Sequence, residues 1–206
     1  MFKASIFLFV LLGVMGCKKN SSDDQANQGE PSNQNCSYTE SFTDPRDLQV
    51  YPIVVIGNQT WMAKNLNYAI TGSWCHNCAL YGRLYSWGNA LTIAPPGWHL
   101  PTVEEWDKLV TTLGGYAVAG GKLKNMSGWR APNSEAINSR CFSALPGAYR
   151  ASDGQIIDVN SNTAYWTTLE GGTEVANAFL LGYLYGKIQK TNFSKAWGLS
   201  VRCIKD

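Results

Sequence analysis

Thr102, followed three residues later by Glu105 and then by an apolar stripe, fixes one element of this chain before anything else is known about it. The pair is a capping box: the Thr102 hydroxyl accepts from an otherwise orphaned helix N–H, and the Glu105 carboxylate reaches back to the Thr102 N–H. Pro101 and Trp106 stand at the two positions of a hydrophobic staple. Trp106, Leu109, Val110 and Leu113 recur at i, i+3, i+4 and i+7, and Gly114-Gly115 supplies the stop. The spacing predicts one short amphipathic helix.

Around that helix the chain reads mainly as sheet. Tyr51 to Ile56 is β-branched and aromatic, Gly57-Asn58 is a hairpin signal, and Gln59 to Met62 returns as a strand. Ser73 to Cys78 reads as a short loop, Tyr81 to Trp87 as a strand or helix start, and Gly88 to Ile93 as a helical turn before Pro95-Pro96-Gly97. Gly114 to Ser139, rich in Gly, Asn and Ser, reads as a long irregular loop. Phe142 to Tyr149, Ala164 to Thr168, Ala176 to Tyr185 and Trp197 to Ile204 are the later strands. In the last of these Trp197, Leu199, Val201 and Cys203 share one face, which should be the core. The pattern predicts an α+β domain: a twisted antiparallel sheet with one or two short helices and long irregular loops.

The N-terminal residues follow different rules. Lys3, an apolar run from Ile6 to Val14, and Met15-Gly16-Cys17 have the length and flanks of a secretory signal covering residues 1–16. Val14-Met15-Gly16-Cys17 resembles a bacterial lipobox, which implies diacylglycerol on the Cys17 sulfur, cleavage before it and acylation of its new N-terminus. Several acyl chains anchor firmly where one would not. Residues 17–35 then form a polar tether, because Lys18 to Gln34 holds no aromatic or branched aliphatic residue with which to build a core. Such a tether spans roughly 20–25 Å. Asp23-Asp24 resembles the acidic export tag of surface lipoproteins. The expected address is the bacterial envelope, as an outer-membrane lipoprotein facing the periplasm or the surface.

Residues 36–206 suit one domain. Lys and Arg number 17 against 15 Asp and Glu, and no basic cluster interleaves with aromatics, so a nucleic-acid footprint is lacking. Eight Trp and ten Tyr must largely serve as core.

Five segments carry a family resemblance: Gly57 to Tyr68, Tyr81 to Trp87, Gly97 to Trp106, Phe142 to Gly147, and Ser200-Val201-Arg202-Cys203. In this order, spread over the chain from about Tyr51 to Asp206, they resemble the Fibrobacter succinogenes major paralogous domain family. The Gly97 to Trp106 block is also similar to the helix entry of formylglycine-generating-enzyme-like and C-type-lectin-like domains. That similarity implies a C-type-lectin-like version of the α+β fold.

Lipidation of Cys17 leaves Cys36, Cys75, Cys78, Cys141 and Cys203, an odd number in an oxidising setting. Cys75 and Cys78 are close enough to close a small ring, and Cys141 and Cys203 are placed to link neighbouring strands. The resembled family commonly carries a cysteine just before Gly97, where this chain reads Ile93-Ala94-Pro95-Pro96, so Cys141 becomes the alternative partner of Cys203. Trp74-Cys75-His76-Asn77-Cys78 has the spacing of thiol-disulfide oxidoreductase sites, but the polar stretch before it points to a structural disulfide. One such pair plus His76 is too few ligands for zinc. His99, between Trp98 and Leu100, reads as a structural histidine.

Asp153, Asp158, Asn160 and Asn162 are the one cluster of hard oxygen donors suited to calcium, and they read equally as turn residues. Trp129, Tyr149 and Trp166 are the aromatics set out to stack on a sugar or anchor a protein, beside Asp158 and Asn160. The leading expectation is a non-enzymatic, lipid-anchored envelope domain that binds a glycan or an envelope protein, with no cofactor beyond calcium. The alternatives are an exported enzyme, either an oxidoreductase using Cys75 and Cys78 or a distant formylglycine-type oxidase, and a purely structural envelope component. Formylglycine-type chemistry uses two late cysteines, and here only Cys203 lies late.

Overall fold

The computed structural model describes Met1 and residues 36–206. The expected signal, the lipidation of Cys17 and the tether lie outside the described residues. In chain order the elements are β1 (Ser41–Thr43), β2 (Val50–Ile56), β3 (Gln59–Met62), β4 (Ser73–Cys75), α1 (Cys78–Tyr81), β5 (Arg83–Tyr85), α2 (Trp87–Ala90) and β6 (Trp98–His99). There follow α3 (Val103–Thr112), α4 (Tyr116–Leu123), β7 (Tyr149–Arg150), β8 (Ile156–Ile157), β9 (Asn162–Glu170), β10 (Val175–Gly182), β11 (Ile188–Ser194), β12 (Leu199–Ser200) and β13 (Ile204–Lys205). The class is α+β. One sheet runs β1-β2-β3-β13-β6, a second β11-β10-β9-β12-β5-β4, and β7 and β8 form a small ribbon. Pairing between these strands is antiparallel except between β12 and β9.

Helix α3 forms where its cap dictates. Thr102 Oγ1 accepts from Glu105 N at 3.2 Å, and Glu105 Oε2 accepts from Thr102 N at 2.8 Å. Its stripe of Trp106, Leu109, Val110 and Leu113 is buried. The Tyr51-to-Met62 hairpin is likewise as expected, with Ile56 opposite Gln59 across the Gly57-Asn58 turn.

Five expectations need correction, the first being that Ser73 to Cys78 is not all loop, because β4 occupies Ser73–Cys75. Gly114 to Ser139 is not all irregular, because α4 occupies Tyr116–Leu123. Gly120 and Gly121 look like breakers, yet they are what lets this helix sit where it does. A Cβ on Gly120 would stand 2.4 Å from the Lys187 carbonyl oxygen, and one on Gly121 2.3 Å from that of Glu135. Phe142 to Tyr149 is not a continuous strand: Ser143 and Ala148 take left-handed φ values of 56° and 63°, and only Tyr149–Arg150 pairs as strand. β11 was not foreseen, since Gln189, Lys190 and Asn192 face solvent on an edge strand and blur its period. Trp197 to Ile204 is two short strands rather than one.

The C-terminal segment explains how the sheets join. Leu199, Val201 and Cys203 are fully buried as expected, but so are Ser200 and, at 1% exposure, Arg202. The segment is central, with a core on either side. One core gathers Tyr51, Met62, Leu66, Tyr85, Trp166, Leu199, Val201 and Cys203. The other gathers Trp61, Trp106, Phe142, Tyr165 and Phe179 around α3, and Trp106 meets all four of those rings at centroid distances of 5.0–5.8 Å.

Two disulfides brace this frame. Cys36 pairs with Cys141, their Cα atoms 5.4 Å apart, and Cys75 pairs with Cys78 at 5.1 Å. The expected Cys141–Cys203 link is therefore not formed: Cys203 is a free buried thiol, and burial pushes its pKa up to about 12. The partner of Cys141 was misjudged because Cys36 precedes every recognisable element, so no periodicity marks its position.

Candidate functional site

The aromatic platform does not exist as a surface. Trp166 is fully buried and donates Nε1–H to the Tyr85 carbonyl at 2.8 Å. Trp129 is 9% exposed and donates to the Ala144 carbonyl at 3.0 Å, while Tyr149 is 3% exposed. These three rings are core members, and none offers a face to a sugar. Burial, followed by the nearby Asp158 carboxylate, raises the Tyr149 hydroxyl well above its ordinary pKa.

Asp158 and Asn160 are exposed, but their oxygens are engaged. Asp158 Oδ2 accepts from Asn162 Nδ2 at 2.8 Å, and Asn160 Oδ1 accepts from the Tyr81 hydroxyl at 3.0 Å. Both residues take left-handed φ values, 61° and 59°, as turn residues of this type do. Asp153 belongs to a separate turn, where it caps the Gln155 N–H. Among the described residues no group of three or more His, Cys, Asp or Glu is arranged to hold a metal ion.

What the fold does form is a cleft of about 470 Å³ between the N-terminal arm, the segment after β3, and the Cys78 to Gly82 turn. Its floor is Arg202. The guanidinium donates Nε–H and Nη2–H to Asn65 Oδ1 at 3.0 and 2.6 Å, and Nη1–H to the carbonyls of Met62 and Phe142 at 3.0 and 2.6 Å. Asn65 Nδ2 in turn donates to the Tyr81 carbonyl at 2.8 Å. Burial lowers the Arg202 pKa, yet its acceptors here are neutral oxygens, and the Phe142 ring lies 4.4 Å from its central carbon. Among the described residues no carboxylate pairs with this buried cation, which gives the floor a positive potential.

The rim is built of amides and phenols. Asn67 Nδ2 donates to Gln49 Oε1 at 2.9 Å, and Gln49 Nε2 donates to the Asn67 carbonyl at 3.1 Å. Asn67 Oδ1 is buried without a hydrogen-bond partner, an acceptor waiting for a hydroxyl. Tyr51 accepts from the Asn67 N–H at 3.0 Å, and Tyr38 hydrogen-bonds Ser143 and donates to the Cys141 carbonyl at 3.1 Å. Lys64 adds an exposed ammonium, and none of the described lining residues is acidic.

Sequence reasoning missed this site although its residues were in view. Lys64, Asn65, Asn67, Gly82, Ser143, Leu145 and Arg202 all fall inside the segments that carry the family resemblance, which read as markers of fold. Four of those five segments contribute to the cleft lining. The usable signal was Arg202, a guanidinium set between the apolar Val201 and Cys203.

The fifth segment holds a different device. His99 Nδ1 meets Asp206 Oδ1 at 2.6 Å and Nε2 meets Glu105 Oε1 at 2.8 Å, so the capping carboxylate also serves the histidine. Burial opposes the imidazolium, but the two carboxylate hydrogen bonds outweigh it and raise the His99 pKa. This is the hydrogen-bonded structural histidine expected.

No curated protein and no solved structure matches the chain. One family model does, that of the Fibrobacter succinogenes major domain, over residues 54–205, a span that contains all five motif segments and most of the cleft. The chain belongs to the Fibrobacter succinogenes major domain family.

Proposed function

We propose that this chain is a lipid-anchored envelope domain that binds a glycan unit in the Arg202 cleft. Anchoring rests on the Cys17 lipobox and its polar tether, and it places the cleft outside the inner membrane, where polysaccharides are met. No helix among the described residues is long and apolar enough to cross a membrane. A C-type-lectin-like reading of the α+β fold agrees with a binding role but does not carry it.

The observation that carries the proposal is the convergence of four motif segments on one amide-rich cleft with a cationic floor and no acidic lining residue. Amide side chains and phenols are the groups that pair with sugar hydroxyls, and a buried arginine favours a ligand bearing a carboxylate, such as a uronic acid. The volume lies within the usual range of small-ligand sites, roughly 300–1,000 Å³. Calcium has no part in this geometry.

The test is glycan-array binding by the mature chain from residue 17, carrying Cys17→Ser, in calcium and in EDTA. Binding to acidic oligosaccharides should survive EDTA and fall at least tenfold in Gln49→Ala and in Lys64→Glu. Binding abolished by EDTA, or unchanged in both variants, would overturn the proposal.

A further inference from the structure

The cleft rim carries a second chemical feature, the Cys75–Cys78 disulfide, whose Cys78 is one of the lining residues. Cys75 ends β4 and is exposed, and Cys78 begins α1 and is half-buried. The two sulfurs are therefore unequal. Cys75 is the more open of the two to an approaching nucleophile. Cys78 Sγ faces the Arg83 guanidinium, with Nη1 at 3.5 Å, and Arg83 is itself held by a hydrogen bond from Nε to Ser73 Oγ at 2.9 Å. The Cys78 N–H points at Cys75 Sγ, 3.3 Å away. His76, between the cysteines, lies over the Tyr81 ring, parallel to it at 6.3 Å.

We propose that the Cys75–Cys78 disulfide is an exchangeable redox centre that takes an electron pair from an external dithiol. Exchange requires an accessible sulfur to attack and a stabilised thiolate to leave. The first thiolate of the dithiol attacks Cys75 Sγ, its proton having gone to solvent. The Cys75–Cys78 bond breaks, and Cys78 leaves with the bonding pair as a thiolate paired with Arg83. The second thiolate of the same dithiol then attacks its own sulfur in the mixed disulfide and expels Cys75 as a thiolate, which takes up a proton. The dithiol ends as a disulfide, and Cys75 and Cys78 end reduced. This proposal is independent of the glycan reading.

The other bridge supplies an internal control. Cys36 and Cys141 are both half-buried, and the group donating to Cys36 Sγ is the neutral Asn138 amide at 3.5 Å. The experiment incubates the mature chain carrying Cys17→Ser with reduced dithiothreitol under native conditions, quenches with acid, alkylates, and follows each cysteine by peptide mass spectrometry. Cys75 and Cys78 should acquire label at least tenfold faster than Cys36 and Cys141. Arg83→Gln should slow the Cys75–Cys78 reaction at least tenfold, and Arg83→Lys should restore most of it. Equal rates at the two bridges would overturn the proposal without recourse to any variant. So would an unchanged rate in a folded Arg83→Gln chain.

Discussion

The two disulfides each give one cysteine to the lining of one cleft and close very different lengths of chain. Cys36–Cys141 spans 105 residues and ties the N-terminal arm to the loop that follows the long irregular segment. Cys75–Cys78 spans three and ties a loop to itself. In the chain-entropy account, cross-linking about 100 residues stabilises by about 4.7 kcal/mol, and a ring of four residues by about 2 kcal/mol. The long bridge fixes where one wall of the cleft stands. The short one adds little to the fold and leaves an exposed sulfur beside a guanidinium. A cysteine pair close in sequence thus contributes chemistry where a distant pair contributes architecture.

The largest effect expected is from removing the long bridge. Cys36→Ser with Cys141→Ser should cost about 4–5 kcal/mol in denaturant unfolding, and Cys75→Ser with Cys78→Ser about 2 kcal/mol or less. Similar losses from the two pairs would break the comparison. Next comes the support behind the long bridge. Asn138 is buried at 1% exposure, accepts from the Ser143 N–H at 2.9 Å and donates to Ser143 Oγ at 2.9 Å. Asn138→Ala should cost about 1–3 kcal/mol, because the buried Ser143 N–H loses the Asn138 acceptor and Ser143 Oγ loses one of its hydrogen bonds. His76→Ala, beside the short bridge, should stay within about 0.5 kcal/mol.

Two smaller effects sharpen the contrast by leaving both bridges alone. Cys203 should resist alkylation in the native state and react only on unfolding, because it is buried and its thiol is held protonated up to about pH 12. Native labelling of Cys203 would mean that the core opens. The pH response should come from His99 instead. Its folded pKa is raised, so its contribution is fully present below the unfolded value near 6.5 and is lost as pH rises through the folded value. His99 is over a third exposed, which keeps the effect small. His99→Gln should flatten the stability profile between pH 6 and 8, as measured by thermal melts across that range.

Much of the frame was legible because local chemistry and tertiary packing agreed. Thr102 and Glu105 named a helix start, Gly57-Asn58 a hairpin, and the apolar Leu199, Val201 and Cys203 a buried segment. Where the two disagreed, sequence reasoning went astray. Gly120 and Gly121 signal a loop locally, but close backbone approach makes them helical. Trp129, Tyr149 and Trp166 have the character of ligand platforms, but a domain with few other large apolar residues spends them on its core. The cleft was hidden for a related reason. Arg202, Asn65 and Asn67 are separated by up to 137 positions, and nothing in their spacing says that they meet. The family match could not replace that information, since it marks which segments recur and not what they surround.

The most direct test of the central claim is a titration of a uronic-acid disaccharide into the isotope-labelled mature chain, carrying Cys17→Ser, followed by amide NMR. Saturable shifts centred on Gln49, Lys64, Asn65 and Asn67, unaffected by EDTA, are the predicted result. Shifts centred instead on Asp158 and Asn160, or no saturable shifts at all, would contradict the assignment of this cleft as the binding site.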